Sequence, residues 1–217
     1  ANGSFTSGNR VQAYTRNGTA AQSWALVGLD DVFAQMDAAA ASGRGLLPTD
    51  TYLYLFSSLS PTMAADVADG SSANGANVQL YASNMTAAQQ WRVEYDDAGY
   101  ATLLNVGSGK ALDVSDGSAR SGANVQQYAP NGTRAQKWVV RDNGDGTVSL
   151  LSALWPGLAL DVSGASASSG ANVQIYADNG TNAQKWRVAP IDPVVEPCAD
   201  LGLEGCLLYT SDAADDL

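Results

Sequence analysis

The sequence contains no histidine and only two cysteines among its 217 residues. A Ser-His-Asp triad, a Cys-His pair and a His-ligated zinc site are therefore excluded for this chain. Lysine and arginine number 11 against 22 aspartate and glutamate residues, which gives a formal net charge of −11. Nucleic acids and anionic membranes attract clustered basic residues, so neither is an expected partner. No apolar run approaches the length of a membrane span, and neither a metal nor another cofactor is expected.

Glycine and other turn residues are abundant and separate short apolar runs. The chain has 22 glycines and is 45% hydrophobic, which is enough to bury one good core. Short Val-rich runs bounded by Gly, Asn and Ser are typical of strands. The composition therefore favours an all-β protein.

One stretch, residues 110–138, recurs along the chain. A second copy covers residues 158–186, and a weaker copy covers residues 63–91. In every copy an Asp precedes a Gln by 13 residues and a Trp by 25, with no insertion. Such self-similarity predicts units that bury their apolar faces by packing on one another. A truncated copy, ending at Trp24, opens the chain.

The remaining segments differ from the repeats. Asp30 and Asp31 precede an alanine run that ends near Gly43, which predicts a short helix. Each full unit is predicted to form four strands, or about twelve in all. The tail from Cys206 looks like a translated sequencing adapter and is interpreted as non-native, so a pairing of Cys198 with Cys206 stays open. The predicted boundaries are 1–27 for the truncated copy, 28–50 for a connector with the helix, 51–189 for the three-unit domain, 190–205 for a Pro-containing linker and 206–217 for the tail.

Gln-x-Trp triplets begin at Gln89, Gln136 and Gln184, each 23 residues after an Asp. Together with the Asp, Gln and Tyr that recur in register, these triplets make residues 51–189 resemble the ricin B-type β-trefoil lectins. Residues 1–27 resemble the remnant of a second such domain. The resemblance implies an all-β fold, a β-trefoil of three four-stranded repeats, with carbohydrate binding and no catalysis.

The resemblance implies one sugar pocket in each repeat. An Asp would accept hydrogen bonds from adjacent hydroxyls, a Tyr would offer a rigid surface to the apolar face of the sugar, and a Gln two residues before the Tyr would face the same way. Related lectins often carry an Asn just before the Gln-x-Trp, where this chain has alanine, so an Asn three residues after each Tyr is expected to substitute. The predicted sugar-binding residues are Asp66, Gln79, Tyr81 and Asn84, then Asp113, Gln126, Tyr128 and Asn131, then Asp161, Gln174, Tyr176 and Asn179.

The Gln-x-Trp residues have a structural interpretation. Their Trp side chains are predicted to fill the core, and their Gln side chains to satisfy the backbone of turns. In the same way, the repeated Asp residues could merely cap turns and the Tyr residues flank the core. The predicted structural residues are Gln89, Trp91, Gln136, Trp138, Gln184 and Trp186.

The predicted function is a carbohydrate-binding module with up to three weak pockets, which targets a larger secreted or cell-surface protein to glycans or polysaccharide. A neighbouring trefoil or catalytic domain is the expected partner within that protein. Glycoside hydrolysis needs two carboxylates that flank one bond, whereas the repeated Asp residues occur once per unit. The alternatives are an appended non-catalytic module of a glycoside hydrolase and a protein-binding trefoil without sugar activity.

Overall fold

The computed structural model describes residues 28–191, which form one helix followed by twelve strands. The helix is α1 (Leu29–Gly43). The strands are β1 (Tyr52–Ser57), β2 (Met63–Val67), β3 (Val78–Ala82), β4 (Trp91–Tyr95), β5 (Ala101–Asn105), β6 (Ala111–Val114), β7 (Ala123–Tyr128), β8 (Trp138–Asp142), β9 (Val148–Ser152), β10 (Leu158–Val162), β11 (Ala171–Ala177) and β12 (Trp186–Ile191).

All the strands belong to one antiparallel sheet whose pairing repeats three times. The second and third strands of each repeat form a hairpin, as β2–β3, β6–β7 and β10–β11. The fourth strand of each repeat pairs with the first strand of the next, as β4–β5, β8–β9 and finally β12–β1. The last pairing closes the ring, so the predicted β-trefoil is confirmed.

The three Trp residues of the Gln-x-Trp triplets lie in the centre of the core. Trp91, Trp138 and Trp186 are completely buried. Each indole Nε1 donates a hydrogen bond of 3.2 to 3.3 Å to a backbone carbonyl in the second strand of its own repeat. A buried Trp requires such an acceptor, and the identical contact in each repeat gives the core its threefold regularity.

A ring of three asparagines joins the three hairpins. The side-chain amide of Asn77 donates to Asn172 at 2.9 Å, that of Asn172 to Asn124 at 2.9 Å, and that of Asn124 back to Asn77 at 3.0 Å. Each Asn therefore donates one bond and accepts one. The sequence carries this signal, because all three copies have Asn directly before their Val-Gln pair.

The helix and the last strand extend the domain beyond its predicted limits. Met36 and Ala40 of α1 are buried against Tyr100, Val139 and Ala153, so the predicted connector helix packs on the trefoil. Strand β12 continues to Ile191, which pairs with Tyr52. The first two residues of the predicted linker thus belong to the sheet, since a proline in an outer strand position need not donate to the ladder.

The truncated repeat at 1–27, the linker from 192 onward, the tail and both cysteines lie outside the described residues. Between residues 28 and 191 no helix has the length and apolarity needed to cross a membrane.

Candidate functional site

The register of each hairpin brings the predicted Asp, Gln and Tyr together. In the first repeat Asp66 lies directly opposite Gln79, and Tyr81 lies opposite Ala64. Residues two apart on a strand point to the same face, so all three side chains share one face of the β2–β3 hairpin. The β6–β7 and β10–β11 hairpins have the same register. We call these three places the first, middle and third pockets.

The Gln side chain of each hairpin orients the Asp carboxylate opposite it. Its Nε2 donates to Oδ1 of the Asp at 2.9 Å in all three repeats. The Asp residues are only 5% exposed, although none of them forms an ion pair within residues 28–191. Burial raises the pKa of Asp113 and of Asp161, while the hydrogen bonds from Gln partly offset that rise. A buried carboxylate held in this way is an oriented acceptor.

The Tyr side chains are, in contrast, among the most exposed large apolar groups of the domain. Tyr81, Tyr128 and Tyr176 are 40%, 39% and 43% exposed. Core packing does not need an aromatic ring at this position, since much of each ring remains in water. The repeated combination of a buried carboxylate and an exposed ring provides one polar and one apolar contact for a ligand.

The Gln of the Gln-x-Trp triplet contacts the same carboxylate from the other side. Nε2 of Gln136 donates to Oδ2 of Asp113 at 3.1 Å and to the carbonyl of Ala129 at 3.0 Å. Its Oε1 accepts the backbone N–H of Asn131 at 2.8 Å. This side chain therefore satisfies the turn and also fixes the Asp.

The third repeat copies this arrangement and the first does not. Gln184 donates to Asp161 at 3.2 Å. Gln89 donates to the carbonyl of Ala82 at 3.0 Å, but no hydrogen bond joins it to Asp66 in the described structure. The first pocket thus holds its carboxylate by one amide, where the other two pockets use two.

The Asn residues predicted as substitute ligands close turns. Oδ1 of Asn84, Asn131 and Asn179 accepts the backbone N–H of the Thr two residues later, at 3.0 to 3.1 Å. These are Asx turns. All three side chains are exposed, and within residues 28–191 their Nδ2 groups make no hydrogen bond. Both N–H donors of each Nδ2 group therefore remain available.

The alanines that precede the Gln-x-Trp triplets sit where related lectins often carry their Asn. Ala135 is 7% exposed and Ala183 is 3% exposed, while Ala88 is half-buried and packs against the core. No polar group therefore enters the pockets from this position. In each repeat the Asn of the Asx turn follows the pocket Tyr by three residues.

One ion pair at the third pocket was not foreseen. Arg141 donates from Nη1 and Nη2 to the two carboxylate oxygens of Asp178 at 2.5 and 3.0 Å. The guanidinium lowers the pKa of Asp178. Asp178 lies between Tyr176 and Asn179, but the equivalent positions hold Ser83 and Pro130, so comparison of the repeats gives no signal for it.

The described residues do not contain a group of three or more His, Cys, Asp and Glu side chains able to hold a metal ion. The polar groups of the pockets are carboxylates, amides and phenols, which suit hydrogen bonding to a neutral polyhydroxylated ligand.

Comparison with known proteins identifies the fold and the family of the chain. A family described as ricin-type beta-trefoil lectin domain-like matches residues 87–176. The designed threefold symmetric protein ThreeFoil is 42% identical, with a TM-score of 0.62 over 64% of this chain and 99% of that protein. The exo-beta-1,3-galactanase 1,3Gal43A from Clostridium thermocellum is 34% identical, with a TM-score of 0.63 over 67% of this chain and 31% of the enzyme. No curated protein sequence matches the chain.

More distant structures share the fold. The Rhizoctonia solani agglutinin is 24% identical, with a TM-score of 0.60 over 67% of this chain and 97% of that protein. The domain is therefore a β-trefoil. The chain belongs to the ricin-type beta-trefoil lectin domain-like family, as its Gln-x-Trp triplets predicted.

Proposed function

We propose that the trefoil is a carbohydrate-binding module with three sugar pockets, one on each hairpin. The observation that carries this proposal is the repeated pairing of an Asp that is 5% exposed with a Tyr that is 39 to 43% exposed. A Gln on the adjacent strand holds each carboxylate in place. Family membership supports the same function.

The ligand chemistry follows from the groups in the pocket. Two adjacent hydroxyls of a sugar donate to the Asp carboxylate, and such charge-assisted bonds are stronger than neutral ones. The apolar C–H face of the ring packs on the Tyr. The Nδ2 of the nearby Asn donates to a further hydroxyl. A neutral sugar with vicinal hydroxyls satisfies all three groups.

Three pockets on one rigid body favour binding to polymers. A shallow pocket of this kind is expected to have a Kd on the order of millimolar to tens of micromolar. Simultaneous occupation of two or three pockets raises the apparent affinity without any new contact. We therefore propose a polysaccharide or a densely glycosylated surface as the target, outside the cell.

The module itself is proposed to be non-catalytic and to belong to a larger protein. Hydrolysis of a glycosidic bond needs a pair of carboxyl groups that flank the bond, whereas each hairpin supplies one Asp of the repeated set. The chain matches only 31% of the Clostridium thermocellum galactanase. This relation supports a targeting module and makes β-1,3-galactan the first probe.

The test is a glycan array that includes β-1,3-galactan, probed with the whole chain and two triple variants. One variant carries Asp66→Ala, Asp113→Ala and Asp161→Ala. The other carries Tyr→Ala at the three pocket tyrosines, whose rings contribute little to the core. Asp97→Ala, an exposed carboxylate outside the hairpins, is the matched control. Unfolding by urea verifies that each variant is folded.

Both triple variants should lose binding, while Asp97→Ala should retain it. The three Asp residues are buried and hydrogen-bonded, so the Asp variant could lose binding because it misfolds. The Tyr residues are exposed, so a loss of binding by the Tyr variant reports on the pockets themselves. The proposal is wrong if the unmodified chain binds no glycan, or if the folded Tyr variant binds as well as the unmodified chain.

A further inference from the structure

The helix packs on only one of three equivalent outer faces of the sheet. Each face is built from the fourth strand of one repeat and the first strand of the next. Val139 lies opposite Leu151 on the face that α1 covers. The equivalent position is Arg92 on the second face and Arg187 on the third. The face that has valine rather than arginine at this position is the one that buries the helix, because an arginine there would have to leave water.

Close backbone contacts show that this docking site is built into the domain. A Cβ atom on Gly43 would lie 2.0 Å from the carbonyl oxygen of Val140, and one on Gly99 would lie 2.6 Å from that of Ala40. The hydroxyl of Tyr100 also donates to Asp37 of the helix at 2.7 Å. Glycine at these two contacts lets the helix and the sheet approach to this distance.

Beyond its apolar contacts, the helix contacts Arg134, which begins the turn that carries Gln136. The ring of Phe33 lies under the guanidinium of Arg134, whose carbon is 4.3 Å from the ring centroid. Nη1 of Arg134 donates to the carbonyl of Ala153 at 3.2 Å, and the guanidinium is 5.9 Å from the ring centroid of Tyr100. These contacts hold Arg134 between the helix and the sheet.

Arg134 is the first residue of the short 3-10 turn Arg134–Gln136, which presents Gln136 to the middle pocket. Gln136 then binds Asp113 at 3.1 Å and the backbone N–H of Asn131 at 2.8 Å. A continuous series of contacts thus runs from Phe33 to the carboxylate of the middle pocket. The residues equivalent to Arg134 are Ala87 and Asn182, which no residue of the helix contacts in this way.

We propose that Phe33 of α1 is a positioning residue for the middle pocket, acting through Arg134 and the turn that carries Gln136. The inference rests on the proposed function of that pocket. It makes the three pockets unequal: the middle one depends on the helix, and the other two do not.

The test compares two proteins that each keep one pocket. Asp66→Ala with Asp161→Ala leaves the middle pocket, and Asp66→Ala with Asp113→Ala leaves the third. Phe33→Ala in the first protein should weaken its Kd for the sugar found on the array by about two- to fivefold, the share expected of one cation–π contact. The same change should leave the Kd of the second protein unaltered.

Phe33→Tyr is the conservative rescue, because it keeps a ring under the guanidinium and should restore the Kd. A general loss of stability would weaken both single-pocket proteins alike. That outcome, or an unaltered Kd in the middle-pocket protein, would overturn the proposal.

Hydrogen exchange supplies a second readout that needs no sugar. The amide of Asn131 is held by Gln136 at 2.8 Å and that of Asn179 by Gln184 at 2.8 Å. Phe33→Ala should increase the exchange rate of the Asn131 amide and leave that of Asn179 unchanged. The same increase at both amides, or no increase at Asn131, would contradict the inference. If neither single-pocket protein binds sugar but the exchange result holds, the proposed function fails while the positioning role of Phe33 stands.

Discussion

Gln136 donates a hydrogen bond from Nε2 to Oδ2 of Asp113 at 3.1 Å. The Gln-x-Trp triplet, which identifies the fold, thereby contacts the residue proposed to bind the ligand. The third repeat has the same bond between Gln184 and Asp161 at 3.2 Å. This Gln therefore has both a structural role and a role at the site, because the side chain that satisfies the turn also sets the orientation of the carboxylate.

Replacement of Gln136 should show both roles. Gln136→Leu keeps the approximate volume but removes the partners of the Asn131 N–H, the Ala129 carbonyl and Asp113. A buried polar group left without a partner costs about 1 to 3 kcal/mol, so we expect the free energy of unfolding to fall by about 3 kcal/mol. Urea unfolding measures this change, and a binding titration should show a weaker middle pocket.

The first repeat provides the matched control for this substitution. Gln89 is as buried as Gln136 but has no bond to Asp66. Gln89→Leu should therefore destabilise the domain less than Gln136→Leu. Equal losses would mean that the bond to the Asp carboxylate contributes nothing to stability.

Sugar binding should depend on pH through the two Asp residues whose pKa burial raises. Asp113 and Asp161 must be ionised to accept two hydroxyl protons, so binding by the middle and third pockets should fall with decreasing pH. The fall should begin above the ordinary Asp pKa of 3.8. Isothermal titration from pH 7 downward measures it, with near-UV circular dichroism to verify the fold at each pH.

The same two groups should act on stability with the opposite sign. A raised pKa in the folded state means that the folded protein holds these protons more tightly than the unfolded chain. Their contribution is present below the unfolded pKa and is lost as the pH rises through the folded pKa. Asp113→Asn should remove the share of this pH dependence that comes from Asp113 and keep that of Asp161, and an unchanged profile would show that the pKa of Asp113 is not raised in the folded protein.

The repeat spacing was sufficient to predict the trefoil. Trp91, Trp138 and Trp186 lie at a constant distance from their Asp residues, and this constancy requires each unit to fold in the same way. The alternation of apolar residues then gives the strands and their inward face. Gln and Tyr share a face because they lie two residues apart on one strand, and the register of the hairpin places the Asp on the same face.

Features that occur once could not be predicted in this way. The docking of Phe33 on Arg134 and the ion pair between Arg141 and Asp178 depend on segments distant in sequence that tertiary packing brings together. Neither contact has an equivalent in the other repeats, so aligning the repeats with one another cannot predict either of them. The sequence carries one indication of the helix site: Val139 occupies a position that is arginine in the other two repeats, Arg92 and Arg187.

Met85 adopts a backbone conformation that favours glycine. Its φ angle is +59°, and the equivalent residues are Gly132 and Gly180, with φ of +69° and +67°. Tyr54 and Gln90 donate to its carbonyl at 3.2 and 3.1 Å and hold the turn in place. The Met85 side chain is 60% exposed, so its packing contributes little stabilisation to offset the strain of the backbone.

Met85→Gly should therefore stabilise the domain. A left-handed conformation costs a non-glycine residue roughly 1 to 2 kcal/mol, partly offset by the greater freedom of glycine in the unfolded chain. We expect a gain of about 0.5 to 1 kcal/mol, measured as a higher Tm. Gly180→Ala is the converse control and should lower the Tm. A lower Tm for Met85→Gly would show that the Met side chain contributes contacts worth more than the strain.

The asparagine ring should show a characteristic non-additivity. Each of Asn77, Asn124 and Asn172 takes part in two of the three bonds of the ring, so a single Asn→Ala change breaks two bonds. The sum over the three single variants therefore includes six broken bonds, because each bond is counted twice, whereas the triple variant breaks only three. The single variants should each cost about 1 to 3 kcal/mol, since a part-buried amide loses its partner. The triple variant should cost about half the sum of the singles. Urea unfolding of the four variants tests this, and strict additivity would mean that the three amides act independently rather than as a closed ring.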